Sequence, residues 1–264
     1  SLIRLETVNP PGDERIAQRY LYDLLDQAGF SVEMIEGIPG RPNLITRLHG
    51  RGEKPPLLFY GHTDVVGVVG QQWQFPPFDA VMHDGMLYGR GALDMKAGVA
   101  MLVHSLLHAA EKGLRPAGDI VLAIVADEET GGKAGMQYIL REHSHIFSDV
   151  RYAIGEFGGF PLYLAGRKFY RIGVSQKQYA RIRLKFQAAG GHGSLPASET
   201  VMGVLGTALT KLDSHKMPYY KTPLAEQIVH TLSENLSGDI AQALIDLLDP
   251  ATFDAALTRI PAAD

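Results

Sequence analysis

The chain has 264 residues, 45% of them hydrophobic and 20% charged, and a formal net charge of -4. These values fit a soluble globular protein of one large or two smaller domains and do not fit a nucleic-acid-binding surface, which shows a basic stripe. No stretch approaches the ~20 apolar residues of a membrane helix, and the absence of cysteine excludes disulfides, thiolate metal sites and a cysteine nucleophile.

The first predicted element is a helix over Asp13–Phe30, with Ile16, Tyr20 and Leu24 as its apolar face and Gly29 as its stop. Short apolar runs at Ser31–Ile35, Asn43–Leu48 and Pro56–Tyr60 read as strands. Met95–Glu111 is apolar on nearly every face and reads as a buried helix. Asp119–Ala126 is a continuous apolar run, the pattern of a strand covered on both sides. A helix over Gly135–Glu142 and a buried strand over Tyr152–Gly155 follow. Strands alternating with helices predict an α/β layer, a mostly parallel sheet flanked by helices.

After about Lys177 the pattern changes. Tyr179–Gln187 alternates, with Ala180, Ile182, Leu184 and Phe186 on one side and Arg181, Arg183 and Lys185 on the other. That predicts a strand with one wet face, and Thr200–Leu212 an amphipathic helix after it. The expected organisation is a first domain over 1–176 and a second, α+β in character, over 177–264.

Four motifs carry the chemistry. Leu57–Asp64 is an apolar strand ending in His62 and Asp64; residues two apart on a strand point the same way, so the carboxylate can orient the imidazole. Leu87–Lys96 places Asp94 after two glycines and just before the second helix. Ala126–Gly131 sets three consecutive acids at the end of a buried strand, a costly crowd unless cations or protons offset it. Ala153–Gly159 ends another strand in Glu156. Taken singly these are a loop histidine, a helix N-cap, a solvated acidic turn and a turn acid. Taken together they place one imidazole and several carboxylates at strand ends or a helix start. That mixture suits a pair of metal ions bound without thiolates.

These motifs resemble the dinuclear zinc amidohydrolases and exopeptidases, a family that includes acetylornithine deacetylase, succinyl-diaminopimelate desuccinylase, aminoacylase, carnosinase and glutamate carboxypeptidase. The resemblance extends from Thr7–Gly12 through Trp73–Phe78 to Gly191–Pro196. It implies two divalent metal ions, zinc first, with cobalt or manganese as alternatives. By position, His62 and Glu156 would bind the first metal, Asp94 would bridge both, Glu129 would bind the second, Asp64 would stand behind His62, and Glu128 would be the general base. The second domain resembles a lid that mediates homodimers, and His192 matches a histidine that reaches the neighbouring subunit's site.

The implied activity is hydrolysis of an amide or peptide bond in N-acyl amino acids or small peptides, with no nucleic acid or membrane as partner and a cytoplasmic location. The alternatives are a non-catalytic homologue acting as a dimerising or binding module, and an aminopeptidase of related architecture. The chain departs from the family at Gln176–Gln178, where many members have Glu-Lys-Gly. Both ends read as cut. Ser1 replaces a starting Met, which leaves an upstream signal peptide open, and Arg259–Asp264 offers no closing element. The family's second-metal histidine, expected from a later segment, has no counterpart among His83, His104, His108, His143, His145, His215 and His230.

Overall fold

The computed structural model describes all residues except 157–160, 171, 176–179, 181, 193, 195–199 and 262–264. The backbone divides into two compact units, Ser1–Phe157 and Gly158–Asp264. In chain order the first contains helix α1 (Arg15–Gln27), strands β1 (Val32–Glu36), β2 (Pro42–Leu48), β3 (Leu57–His62), β4 (Val81–His83) and β5 (Met86–Tyr88), helix α2 (Lys96–Glu111), strand β6 (Ile120–Val125), helix α3 (Met136–Glu142) and strand β7 (Tyr152–Ile154). The second contains β8 (Pro161–Leu164), β9 (Arg167–Tyr170) and helices α4 (Val201–Ser214), α5 (Pro223–Glu234), α6 (Asp239–Asp246) and α7 (Phe253–Leu257).

The main sheet has the order β1-β2-β6-β3-β7. It is mixed. β3 runs parallel to both β6 and β7, and β2 runs antiparallel to β1 and β6. Side chains alternate across it, as the pleat requires. Leu122 and Ile124 of β6 face one core with Leu21, Leu25, Val99, Val103 and Leu106 of α1 and α2. Ala123 and Val125 face the other with Ile139 of α3. Helices thus cover both sides of the sheet, and β6 is buried from Val121 to Val125, as its unbroken apolar run predicts.

Three expectations for the first unit need correction. The buried stripe of α1 is Ala17, Gln18, Leu21 and Leu25, while Ile16 is exposed and Tyr20 and Leu24 are half-buried. Two stripes one residue apart both satisfy the helical period, and packing against Leu44, Leu122 and Ile124 of the sheet and Val99 of α2 selects the second. Helix α2 is not buried all round. Lys96, Val99, Val103 and Leu106 face the sheet and Met101 faces outward, because a helix in an outer layer has a core on one side only. Strand β7 is exposed along its length, because it lies at the sheet edge and, among the described residues, pairs with β3 alone.

In the second unit, α4 and α5 begin on threonine caps. Thr200 Oγ1 accepts from the Gly203 amide at 3.1 Å, and Thr222 Oγ1 from the Ala225 amide at 3.0 Å. The strand expected over Tyr179–Gln187 falls partly outside the described residues. Its described part, 182–187, is not in a strand. Alternation alone does not make a strand without a neighbour to complete its hydrogen bonds, and among the described residues none pairs with it.

Asp119, at the start of β6, joins the far edge of the sheet. Its carboxylate accepts from the Gly50 amide at 2.8 Å and from Arg47 Nη1 at 3.0 Å. The Gly50 amide, then Arg47 and His49, hold it below the usual carboxylate range against the opposing effect of burial. A depressed folded-state pKa contributes stability above the unfolded value, about 4, and loses it as pH falls through the folded value. The unfolding free-energy gap between the parent and Asp119→Asn should therefore shrink between about pH 6 and about pH 3, as measured by urea unfolding at each pH.

Candidate metal centre

Parallel pairing brings the carboxyl ends of β3, β6 and β7 to one edge. His62 is opposite Val125 in the β3–β6 register, and Phe59 is opposite Ile154 in the β3–β7 register. The segments leaving these strands carry His62–Asp64, Asp127–Glu129 and Glu156. Open α/β sheets place their ligands at this edge.

The centre of the site is the His62 ring, which is fully buried. Its Nε2 lies 2.9 Å from Glu156 Oε2, 3.1 Å from Asp94 Oδ1 and 3.8 Å from Glu128 Oε2. Two sets of donor atoms lie within 4.8 Å of one another, His62 with Glu128 and Glu156, and His62 with Asp94 and Glu129. The four acids named from sequence as ligands or base therefore converge on the one imidazole. Asp94 is not a helix cap. The N-cap of α2 is Met95, and the Asp94 carboxylate turns toward His62 instead.

On its other side the ring meets Asp64. Nδ1 lies 2.9 Å from the Asp64 backbone oxygen and 3.4 Å from its Oδ1. The Asp64 carboxylate accepts in turn from the amides of Glu128 and Glu129, each at 3.1 Å, and from Asn9 Nδ2 at 2.8 Å. This frame leaves Nε2 as the nitrogen directed at the acids.

The charge balance shows what the site attracts. Burial opposes a charged His62, but hydrogen bonds to Asp64 and Glu156 and the charges of Asp64 and Glu128 outweigh it, raising the ring to about 11. Burial and the Asp94 charge push Glu129 up to about 7. Burial also raises Glu128, and Glu156, Asp64 and Asp94 add to the shift while His62 opposes it. A set of acids this crowded takes up protons or cations. Hard oxygen donors with one imidazole fit a divalent ion such as zinc.

Several supporting residues were not legible as functional. Asp127 adopts a left-handed conformation, φ 65°, immediately before Glu128. Its buried carboxylate accepts from Arg41 Nη1 and the Ala134 amide, both at 3.0 Å. Arg41 Nε also donates to the fully buried Glu14 at 3.0 Å. The guanidinium lies over Gly12, whose φ of +81° favours glycine and where an added Cβ would push the Arg41 side chain aside. The one sequence signal was Asp127's place in the run of three acids; Arg41 and Glu14 carried none. Arg41→Met strands two buried carboxylates and should cost about 3–5 kcal/mol, read as a lower urea midpoint. A cost under ~1 kcal/mol, the scale of an exposed pair, would show that Glu14 and Asp127 do not depend on it.

A sequence profile of peptidase family M20/M25/M40 matches residues 58–263. The chain belongs to this family. Among its relatives, an uncharacterized carboxypeptidase of Schizosaccharomyces pombe is 30% identical over 190 residues, 68% of this chain and 32% of that protein. Succinyl-diaminopimelate desuccinylase of Methylobacterium radiotolerans is 43% identical over 133 residues, 48% of this chain and 33% of that protein. Each match thus spans about a third of the relative's length. An M20 family metallo-carboxypeptidase of Sulfolobus solfataricus, Sso-CP2, shares the fold with a TM-score of 0.52 at 23% identity, over 62% of this chain and 38% of that one. The M20/M25/M40 match covers all four motifs that converge here.

Two further family motifs carry other contacts. Trp73 stacks under the Arg90 guanidinium at 5.0 Å. His192, in the second unit, is exposed, with Nδ1 2.7 Å from Ser194 Oγ; Gln176–Gln178 lies outside the described residues. Of the seven histidines set aside above, six are exposed and His143 is half-buried.

Proposed function

We propose that this chain carries the active site of a metal-dependent hydrolase that cleaves an amide or peptide bond in N-acyl amino acids or small peptides. The observation that carries the reading is the convergence of Glu156, Asp94 and Glu128 on His62 Nε2 within 2.9–3.8 Å. The names of the relatives, a desuccinylase and a carboxypeptidase, support it.

In this reading His62 and Glu156 would hold one divalent ion, Glu129 would hold a second, and Asp94 would serve both. The shared place comes from the family resemblance, and Asp94, 47% exposed and free of any capping bond, is open to take it. Zinc is the first choice, with cobalt or manganese as alternatives. When bound, such ions lower the pKa of an attacking water toward about 7 and polarise the scissile carbonyl. Glu128 takes the water's proton and returns it to the leaving amine. Asp64 holds the His62 ring with Nε2 toward Asp94 and Glu156. The division into a catalytic portion over 1–176 and a lid over 177–264 belongs to the same proposal, as do a homodimer through the lid and a role for His192 at the neighbouring subunit's substrate.

The test is metal analysis of the full-length protein, together with turnover of a panel of N-acyl amino acids and dipeptides before and after chelation. Two equivalents of metal and chelator-sensitive cleavage are expected. A protein that binds no metal and cleaves none of the panel would leave the binding-module reading.

A further inference from the structure

The motif Thr7–Gly12 has no role in the chemistry above, yet it reaches the site. The Asn9 amide donates to the Val65 oxygen at 2.9 Å, and the Val65 amide to the Thr7 oxygen at 3.0 Å. Val8 and Val65 form a parallel bridge. This backbone pairing sets Asn9 beside the exit of β3, one residue past Asp64.

The Asn9 side chain is buried, 3% exposed. Its Nδ2 lies 2.8 Å from Asp64 Oδ2, 3.2 Å from Asp127 Oδ1 and 3.1 Å from Thr130 Oγ1. The Thr130 hydroxyl donates to the same Asp127 oxygen. The two amide protons are thus shared between two acids that are 0% and 4% exposed. Buried carboxylates this close need donors between them. Asp64 belongs to the exit of β3 and frames His62 and the amides of Glu128 and Glu129. Asp127 belongs to the exit of β6 and leads directly into Glu128 and Glu129. Asn9 is the side chain that touches both acids.

We propose that Asn9 is a positioning residue. Its amide sets the spacing between the strand exit that carries His62 and the one that carries Glu128 and Glu129, and it thereby controls metal affinity and turnover without touching metal or substrate. This rests on the metal-hydrolase reading above.

The test uses the full-length protein stripped of metal and titrated with zinc, and separately with cobalt, against a chromophoric chelator. If the parent protein binds neither ion, the hydrolase reading fails irrespective of Asn9. Where the parent binds, Asn9→Ala is expected to weaken metal affinity about 10- to 100-fold, the scale of lost outer-shell support. It should also lower kcat at saturating metal by about tenfold or more, leave KM within about twofold, and shift the visible spectrum of bound cobalt. Asn9→Ser, which keeps a short donor, should recover part of the loss. Thr46→Ala is the control for stability alone. Its buried hydroxyl, bonded to the Ser31 oxygen at 2.7 Å, lies outside the site, and its loss should lower the melting temperature without changing metal affinity. Asn9→Ala with parental affinity, kcat and cobalt spectrum, and only a lower melting temperature, would overturn the proposal. Should Asn9→Ala not fold, Asn9→Ser decides: weakened affinity supports the proposal, and unchanged affinity and spectrum overturn it.

Discussion

Glu128→Gln should keep its metal and lose about 10²- to 10⁴-fold in kcat, the contribution of a positioned proton acceptor. The geometry separates Glu128 from its neighbours. Its Oε2 is 3.8 Å from His62 Nε2, against 2.9 Å for Glu156 and 3.1 Å for Asp94. That is the longest of these three contacts, and the family resemblance gives Glu128 the place of the base. Its backbone amide is held by Asp64, so the isosteric glutamine should occupy the same place with no basic oxygen. Burial, with Glu156, Asp64 and Asp94, raises the carboxyl's pKa, the direction that suits a group taking and returning a proton near neutrality. Metal content by atomic absorption and single-turnover rates check both halves of the expectation. Full turnover in the variant would remove Glu128 as the base, and loss of metal would make it a ligand.

Asp94→Ala should empty the site while leaving the fold intact. A capping aspartate would cost about 1 kcal/mol on removal, but Asp94 makes no cap bond, and the helix begins on Met95. The metal-free variant should therefore melt within the ±0.5 kcal/mol typical of surface substitutions. Metal analysis should find less than one equivalent, since a shared carboxylate supports both ions. Two retained equivalents would contradict the bridging role. A large loss of stability in the metal-free protein would restore the capping one.

Both expectations depend on a supporting shell with little signature in the chain. Glu14, the pair Arg41 and Asn43, and Asp127 come from three separate segments and meet behind the acids. Asn43 Oδ1 accepts from the Ala126 amide at 2.9 Å, and its Nδ2 donates to the Ala134 oxygen at 2.9 Å. The Asp127 amide donates to Glu14 at 3.2 Å. The turn that presents Glu128 and Glu129 is thus pinned on both sides by buried polar side chains. Full satisfaction of such groups is what makes a buried network rigid rather than costly.

The sequence by itself determined the periods and the ends of the elements that matter. The apolar run of β6 predicts a strand covered on both faces, and the acids at its end predict a demand for positive charge, because both are local consequences of side-chain chemistry. His62, Asp64, Asp94, Glu128, Glu129 and Glu156 stood out as candidates at strand ends and a helix start for the same reason, and their separate roles came from the family resemblance. The tertiary structure decided which stripe of α1 is buried, that β7 is an exposed edge, and that α2 has one wet side. It also decided that Asn9 and Arg41 stand behind the acids. Those outcomes depend on which segment packs against which, and separations such as the 118 residues between Asn9 and Asp127 leave no trace in local spacing.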